Sequence, residues 1–302
     1  MESDLISLWQ HLLSYRSPET NALTLRPKHG LLKLSKFSFQ INGREGECYS
    51  LIRILDTLLQ CPSLTELRVL GAMGGHAAAI TQGPTFKNLQ RLEIYESGLS
   101  LRSLDDIISL CENLRHLICH WYFLWCSTAG QEIELLPNLS KHRDTLETLW
   151  LVADRADIEG FLDASQFKLS QMSVLKEVNL CNFFIPDEHD RSPHPPDQPA
   201  AIAPELPPSV ERLLISYTLE CLRVGVWRRQ VTESLLQLAE DCPRLLPCLK
   251  EVTVSFEGGI LGIWGQANTP IVKAFAGKGV QLTIVGEIDF VGLLATRMDS
   301  TH

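Results

Sequence analysis

The stretch CPSLTELRVL, residues 61–70, decides the fold, because the chain repeats it with small changes. Close variants read CENLRHLIC at residues 111–119 and CPRLLPCLKEVTV at residues 242–254. Each variant contains the aliphatic pattern L-x-x-L-x-L, which we call the beat. The last two beat positions lie two residues apart and therefore share one face of a strand. The repetition predicts short strands that recur along the chain.

Nine beats follow one another at intervals of 25 to 39 residues, and apolar residues at helical spacing separate several of them. Helices are predicted near residues 51–59, 104–111 and 235–242, and from Thr269-Pro270 to a stop at Gly277. Ser103 and Asp106 have the spacing of a capping box. One such unit cannot bury its apolar face alone, so the units must stack. The beats are Leu34/Phe37/Phe39, Leu64/Leu67/Val69, Leu89/Leu92/Ile94, Leu114/Leu117/Cys119, Leu146/Leu149/Leu151, Leu175/Val178/Leu180, Val210/Leu213/Ile215, Leu249/Val252/Val254 and Val280/Leu282/Ile284.

These beats resemble the leucine-rich-repeat proteins, specifically the irregular cysteine-containing type found in F-box proteins. CPSLTELRVL, CENLRHL and HRDTLETLWL, the last at residues 142–151, are most similar to the large fungal F-box-like group. The resemblance implies an α/β leucine-rich-repeat solenoid over residues 31–290, with a curved parallel sheet on the concave side and helices on the convex side. Residues 1–30 are predicted to form an N-terminal helical cap, and residues 291–302 a disordered tail.

The composition of the chain limits the kinds of partner it can bind and indicates the cellular compartment in which it occurs. The formal net charge of −9 disfavours a nucleic-acid or anionic-membrane partner, since both select basic proteins. No stretch approaches the 18 or so apolar residues that a membrane-spanning helix needs. The nine cysteines form no CxxC pair, and the N-terminus does not read as a secretory signal. Reduced thiols in the cytoplasm or nucleus are therefore predicted.

The regular pattern is interrupted by a proline-rich insertion at residues 186–208, which holds eight of the 16 prolines. Proline fixes φ and removes a backbone donor, so this composition predicts a solvated loop between two repeats. The alternative is a proline-rich docking segment that a partner recognises.

No constellation of residues predicts catalysis or a bound metal. His116 and His120 lie in one beat, so they share a strand face roughly 13 Å apart at ~3.3 Å per residue, too far to bind one zinc ion. Cys119 and His120 are adjacent on that strand and face opposite sides, which excludes a thiol–imidazole dyad. We therefore predict no catalytic residue, no metal site and no cofactor.

The remaining candidate surface is the concave sheet face. Residues between and beside the inward beat positions point away from the core, and aromatic and arginine side chains there are typical of interface anchors. The predicted partner-binding residues are Arg68, Glu93, Tyr95, His116, His120 and Trp150.

The sequence thus predicts a non-enzymatic protein–protein interaction module whose partner is a protein. The resemblance further implies a substrate-recognition subunit of a cullin–RING (SCF-type) ubiquitin ligase, for which the cullin-ligase adaptor is a second partner. Residues 1–30 do not show the F-box helices that would bind this adaptor. Two alternatives stay open: an F-box-independent repeat scaffold or enzyme inhibitor, and an enzyme whose constellation is not among the common motifs.

Overall fold

The chain divides into two compact units, Met1–Phe161 and Leu162–His302. The structure is a computed structural model, and it describes residues 15–16, 23–24, 33–40, 55, 58–59, 61–72, 85–127, 136–159, 167–181, 201–217, 227–256 and 269–286. The predicted tail, residues 291–302, lies outside these ranges. The domain bounds given by the sequence stay predictions.

The first unit is organised around five parallel strands, each of which carries one beat. The strands of this unit are β1 (Tyr15–Arg16), β2 (Leu23–Thr24), β3 (Lys36–Gln40), β4 (Glu66–Leu70), β5 (Arg91–Ser97), β6 (His116–Trp121), β7 (Leu124–Ser127), β8 (Thr148–Ala153) and β9 (Ala156–Glu159). The five beat-bearing strands have the order β8-β6-β5-β4-β3 in the sheet. Two short strand pairs accompany them: β1 runs antiparallel to β2, and β7 runs parallel to β9.

The second unit contains four more parallel strands, again one for each beat. They are β10 (Glu177–Cys181), β11 (Arg212–Tyr217), β12 (Glu251–Phe256) and β13 (Gln281–Val285), which pair in this order. The nine beat-bearing strands and the helices between them confirm the predicted fold class, an α/β leucine-rich-repeat solenoid.

The beat positions align in register from strand to strand. Leu67, Leu92, Leu117 and Leu149 are successive Cα partners, and all four side chains are buried. The core therefore consists of stacked rows, and each row takes one side chain from each repeat. Every row is apolar, so burial from water stabilises the stack.

Six of the strands, β4, β5, β6, β8, β11 and β12, begin at a backbone carbonyl that accepts two hydrogen bonds. The Ser35 carbonyl accepts from the N–H groups of Thr65 and Glu66, at 2.7 and 3.0 Å. We call this arrangement the doubled acceptor. It recurs in the first unit and, independently, in the second. The other doubled acceptors are the carbonyls of Thr65, Gln90, Arg115, Lys176 and Glu211.

A second ladder links the turns that precede the strands. The side-chain amide of Asn113 donates to the Lys87 carbonyl at 3.0 Å, and that of Asn88 donates to the Pro62 carbonyl at 2.7 Å. The hydroxyl of Thr145 donates to the Leu114 carbonyl at 2.9 Å. All three residues immediately precede the first leucine of a beat, so each polar side chain ties its own turn to the turn before it.

The helix between β5 and β6 begins earlier than the predicted capping box. Helix α1 spans Leu101–Ser109, and its N-cap is Ser100, whose hydroxyl accepts from the Ser103 N–H at 3.1 Å. The capping box predicted at Ser103 and Asp106 is therefore wrong. Ser100 has an extended backbone (φ −70°, ψ 158°), which suits a cap, whereas Ser103 already lies in the first helical turn.

The other connections vary in type. Helix α2 spans Trp227–Leu245 and continues through Cys242, where the sequence predicted its end. Helix α3 spans Thr269–Ala276 and stops before Gly277, as predicted. Three connections contain 3₁₀ turns, at Pro137–His142, Leu169–Gln171 and Ala203–Glu205. None of the described helices is long and apolar enough to cross a membrane.

Two predicted segments differ in part from the structure. The insertion predicted at 186–208 includes residues 201–208, where Ile202, Ala203 and Leu206 are buried. These apolar side chains offset the cost of ordering the prolines around them, so this end is packed rather than solvated. Within the predicted helical cap, the described residues 15–16 and 23–24 form the β1–β2 strand pair rather than a helix.

The described cysteines are free thiols, and most are buried. Burial raises the pKa of Cys111 to about 12, and burial together with the Asp241 carboxylate raises that of Cys242 to about 11. Cys248 is exposed. We expect a thiol reagent at neutral pH to label Cys248 in the native protein, and to label Cys111 and Cys242 only after denaturant is added. Site-resolved mass spectrometry measures this, and native labelling of Cys111 as fast as that of Cys248 would contradict the packing.

A buried imidazole makes the stability depend on pH. His142 has no exposed surface, and burial lowers its pKa from 6.5, helped by Lys141 and opposed by the Ile108 carbonyl. The folded state takes up a proton on His142 less readily than the unfolded state. The stability that neutral His142 contributes is therefore complete above pH 6.5 and is lost as the pH falls from 6.5 towards the lowered pKa of the folded state. The loss at pH 5.5 is at most about 1.4 kcal/mol for this group.

We therefore expect urea unfolding of the wild type to show lower stability at pH 5.5 than at pH 7.5, and His142→Leu to reduce this difference. His116→Leu is the matched control, since its imidazole is only half-buried. An unchanged pH difference in His142→Leu would show that other groups cause it.

Candidate partner-binding surface

The six predicted binding residues all lie in the first unit, on the sheet face that carries no inward beat position, which we call the open face. The register aligns Arg68, Glu93, Ile118 and Trp150 in one row across β4, β5, β6 and β8. His116 lies at the start of β6 and His120 near its end. The structure therefore brings together the predicted residues that the sequence placed on separate repeats.

Exposure of these residues differs from the expectation. Glu93, Tyr95, His120 and Trp150 are only 2%, 5%, 7% and 7% exposed. On a parallel sheet each side chain is flanked by those of both adjacent strands, about 4.8 Å away, and bulky flanks remove most of its contact with water. The expectation of exposed anchors is therefore wrong for these four residues. Whether the face binds a partner stays a prediction.

The centre of the open face is a three-residue ion cluster. The Nε atoms of Arg68 and Arg91 each donate to Glu93, to its Oε2 and Oε1 atoms respectively, at 2.5 Å. The carboxylate is buried, whereas the two guanidinium side chains keep about a quarter of their surface, 25% and 26%. Arg91 was not among the predicted binding residues. Its spacing of two from Glu93 could have indicated the pair, since such residues share a strand face.

The cluster also sets the ionisation of its neighbours. Burial alone would raise the pKa of Glu93, but the charges and hydrogen bonds of Arg91 and Arg68 together lower it. The neighbouring Tyr95 has its pKa raised, first by burial and then by the negative charge of Glu93. Glu93 therefore stays ionised and Tyr95 stays neutral at physiological pH.

Both histidines of β6 have partners on the next repeat. His116 Nδ1 lies 3.1 Å from Thr148 Oγ1, and His120 Nε2 lies 2.7 Å from Asp154 Oδ1. The two rings thus help to position β8 and the turn that follows it. Among the described residues, no group of three or more His, Cys, Asp or Glu side chains is arranged to hold a metal.

Exposed aromatic side chains occur instead where β6 ends. Tyr122 is 53% and Phe123 42% exposed, and they are adjacent in the chain. On the next repeat, Asp154 and Arg155 occupy the turn after β8. We call these four residues the strand-end surface. The Arg155 guanidinium carbon lies 6.0 Å from the centre of the Tyr122 ring, which is within the range of a cation–π contact.

The backbone beneath the strand-end surface is held at several points. The Tyr122 N–H donates to the Ser97 carbonyl at 3.1 Å, and the Asp154 N–H donates to the Trp121 carbonyl at 2.9 Å. The indole N–H of the buried Trp121 donates to the Leu99 carbonyl at 2.8 Å. The aromatic pair is therefore presented on an ordered support, although its own side chains face solvent.

Sequence reasoning missed the strand-end surface. The signal is the run His120-Trp121-Tyr122-Phe123, which is longer and more aromatic than the end of any other beat. Strict alternation would turn these side chains to opposite faces. The strand ends at Trp121, however, and a two-residue bend leaves both following rings exposed.

The Cys119 thiol is not available as a nucleophile. Burial raises the pKa of Cys119 well above its usual range, and this thiol lies among the inward beat positions, away from His120. A neutral, inaccessible thiol cannot attack a substrate.

Comparison with known proteins agrees with the repeat architecture. Residues 38–168 match the family model described as FBD-associated F-box protein At5g56370, LRR repeats. This match covers less than half of the chain and includes part of β3 and all of β4 to β9, together with the strand-end surface. No curated protein and no solved structure matches the chain.

Proposed function

We propose that this chain is a non-enzymatic protein-binding module whose partner contacts the strand-end surface. The observation that carries the proposal is the exposed pair Tyr122 and Phe123, held on ordered backbone. Aromatic residues and arginine are enriched at interface centres, where a few of them account for most of the binding energy. Arg155 adds a cation 6.0 Å from the centre of the Tyr122 ring.

We further propose that the module recognises substrates for a cullin–RING ubiquitin ligase. Two observations support this role: the matched repeats are named for an F-box protein, and the beats resemble those of F-box-like proteins. Buried cysteines within three connections, Cys61, Cys111 and Cys242, support the irregular cysteine-containing type. Their reduced state supports a cytoplasmic or nuclear location.

Affinity capture with quantitative mass spectrometry tests the binding surface. Tyr122→Ser with Phe123→Ser should keep the melting curve and lose most captured partners, because both side chains are exposed before the change. Val272→Ser is the matched control, since Val272 is 41% exposed on α3 of the other unit. Equal recovery of partners by the double variant and the wild type would overturn the proposed surface.

The ligase role has a separate test. Purified cullin adaptor should co-purify with the tagged gene product, and captured partners should gain ubiquitin when the remaining ligase subunits are added. Partners that are recovered without any adaptor would instead favour an F-box-independent scaffold or enzyme inhibitor. That outcome would contradict only the proposed ligase role, and the proposal that partners bind the strand-end surface would stand.

A further inference from the structure

The ion cluster on the open face contains more positive than negative charges. Two guanidinium groups, those of Arg68 and Arg91, share the single carboxylate of Glu93, so the cluster carries one uncompensated positive charge. Two other ion pairs of this unit each join one cation to one carboxylate. Lys36 pairs with Glu66 at 3.0 Å, and Arg115 pairs with Glu147 at 3.7 Å.

The geometry leaves part of each arginine available. The described bonds to Glu93 use the Nε atoms, whereas a guanidinium has five N–H donors in a fixed plane. Both side chains are about one quarter exposed, while the carboxylate between them is almost completely covered. Glu93 therefore orients two partly exposed donor groups. They come from adjacent strands, and neighbouring strands lie about 4.8 Å apart.

We propose that Arg68 and Arg91 form a receptor for one acidic side chain, Asp or Glu, of a bound peptide segment. This inference rests on the proposed function, because it specifies the chemistry of the protein partner. A carboxylate accepts up to four hydrogen bonds in its plane, which suits donors that arrive from two guanidinium groups. Its single negative charge also balances the cluster, whereas a phosphate group, at −1.5 to −2, would exceed it.

The cluster is held in place before any ligand arrives. Arginine side chains lose considerable rotamer freedom on binding, and the bonds to Glu93 have already restricted it. The lowered pKa of Glu93 keeps this anchor ionised. A partner carboxylate would therefore meet preorganised donors.

Fluorescence anisotropy with the full chain tests the receptor directly. The probe is a labelled pentaglutamate peptide with blocked ends, and pentaglutamine of the same design is the neutral control. We expect the wild type to bind the glutamate peptide at least about tenfold more tightly, as charge-assisted hydrogen bonds predict. Arg68→Gln combined with Glu93→Gln should abolish this preference. This pair of changes keeps the net charge of the cluster and avoids a half-paired buried carboxylate.

Two further variants separate the receptor from general electrostatics and from misfolding. Arg115→Gln removes an exposed cation beside the start of β6 and should leave the glutamate preference unchanged. Glu93→Gln alone keeps both arginines, and it should retain binding of the glutamate peptide. No preference in the wild type, or an equal loss in Arg115→Gln, would overturn the receptor.

The two proposals fail in different ways. If Tyr122→Ser with Phe123→Ser loses no partner while the glutamate preference persists, the strand-end surface is wrong and the receptor stands. If the aromatic variants lose partners while the wild type shows no glutamate preference, the receptor alone is wrong.

Discussion

Leu117→Asp should destabilise the protein by at least about 4 kcal/mol, which is a large part of the total stability of a typical domain. Leu117 has no exposed surface, and its Cα partners on both sides are the equally buried Leu92 and Leu149. The change removes apolar burial and introduces a carboxylate with no cation in its row of the core. Urea unfolding followed by circular dichroism would measure the loss.

Leu117→Met is the matched control for this prediction. It conserves volume and apolarity, so it should cost less than about 1.5 kcal/mol. Wild-type melting of Leu117→Asp would show that the beat positions do not point inward, and the repeat register would then have to be abandoned.

Trp150→Ala should cost about 3 kcal/mol of stability, the second largest effect that we expect. The sequence places this ring on the face that points away from the core, where its removal would be expected to affect folding little. The structure reverses that expectation, because the side chain is only 7% exposed and lies in one row with the buried Ile118. Thermal unfolding measures the difference.

Trp150→Phe provides the comparison, since it keeps an apolar ring in the same place and should recover most of the lost stability. The exposed Tyr122 offers the opposite case: Tyr122→Ala should change the melting temperature little. If Trp150→Ala and Tyr122→Ala melt alike, the burial of the open face has no energetic consequence.

The strands could be predicted because their signal is local and repeated. The spacing of Leu64, Leu67 and Val69 indicates both a strand and its buried face, and eight further beats have the same spacing. Register follows from the same positions, since Leu67 aligns with Leu92 and Leu92 with Leu117. The helix starts were less predictable, because Ser100 and Ser103 are both suitable caps and only the chain path selects one.

The burial of the open face could not be predicted from alternation. Alternation gives the direction in which Glu93 points, but its exposure depends on Arg68, one repeat earlier, and on Ile118, one repeat later. These neighbours are 25 residues away in either direction, and their bulk matters more than their polarity. The strand-end surface was missed for a related reason. The exposure of Tyr122 and Phe123 depends on where the pairing of β6 with its neighbouring strands stops.

The doubled acceptor at the start of six strands affects how this chain can change in length. Because one carbonyl accepts from two successive N–H groups, each of these strands is aligned against its predecessor at the entry point, whatever connection precedes it. The distance between aligned residues is 25 from Glu66 to Arg91 but 39 from Arg212 to Glu251, yet pairing begins at the same relative position. Connections can therefore lengthen or shorten without shifting the alignment of the side chains, so new loops can diversify while the core rows keep their order.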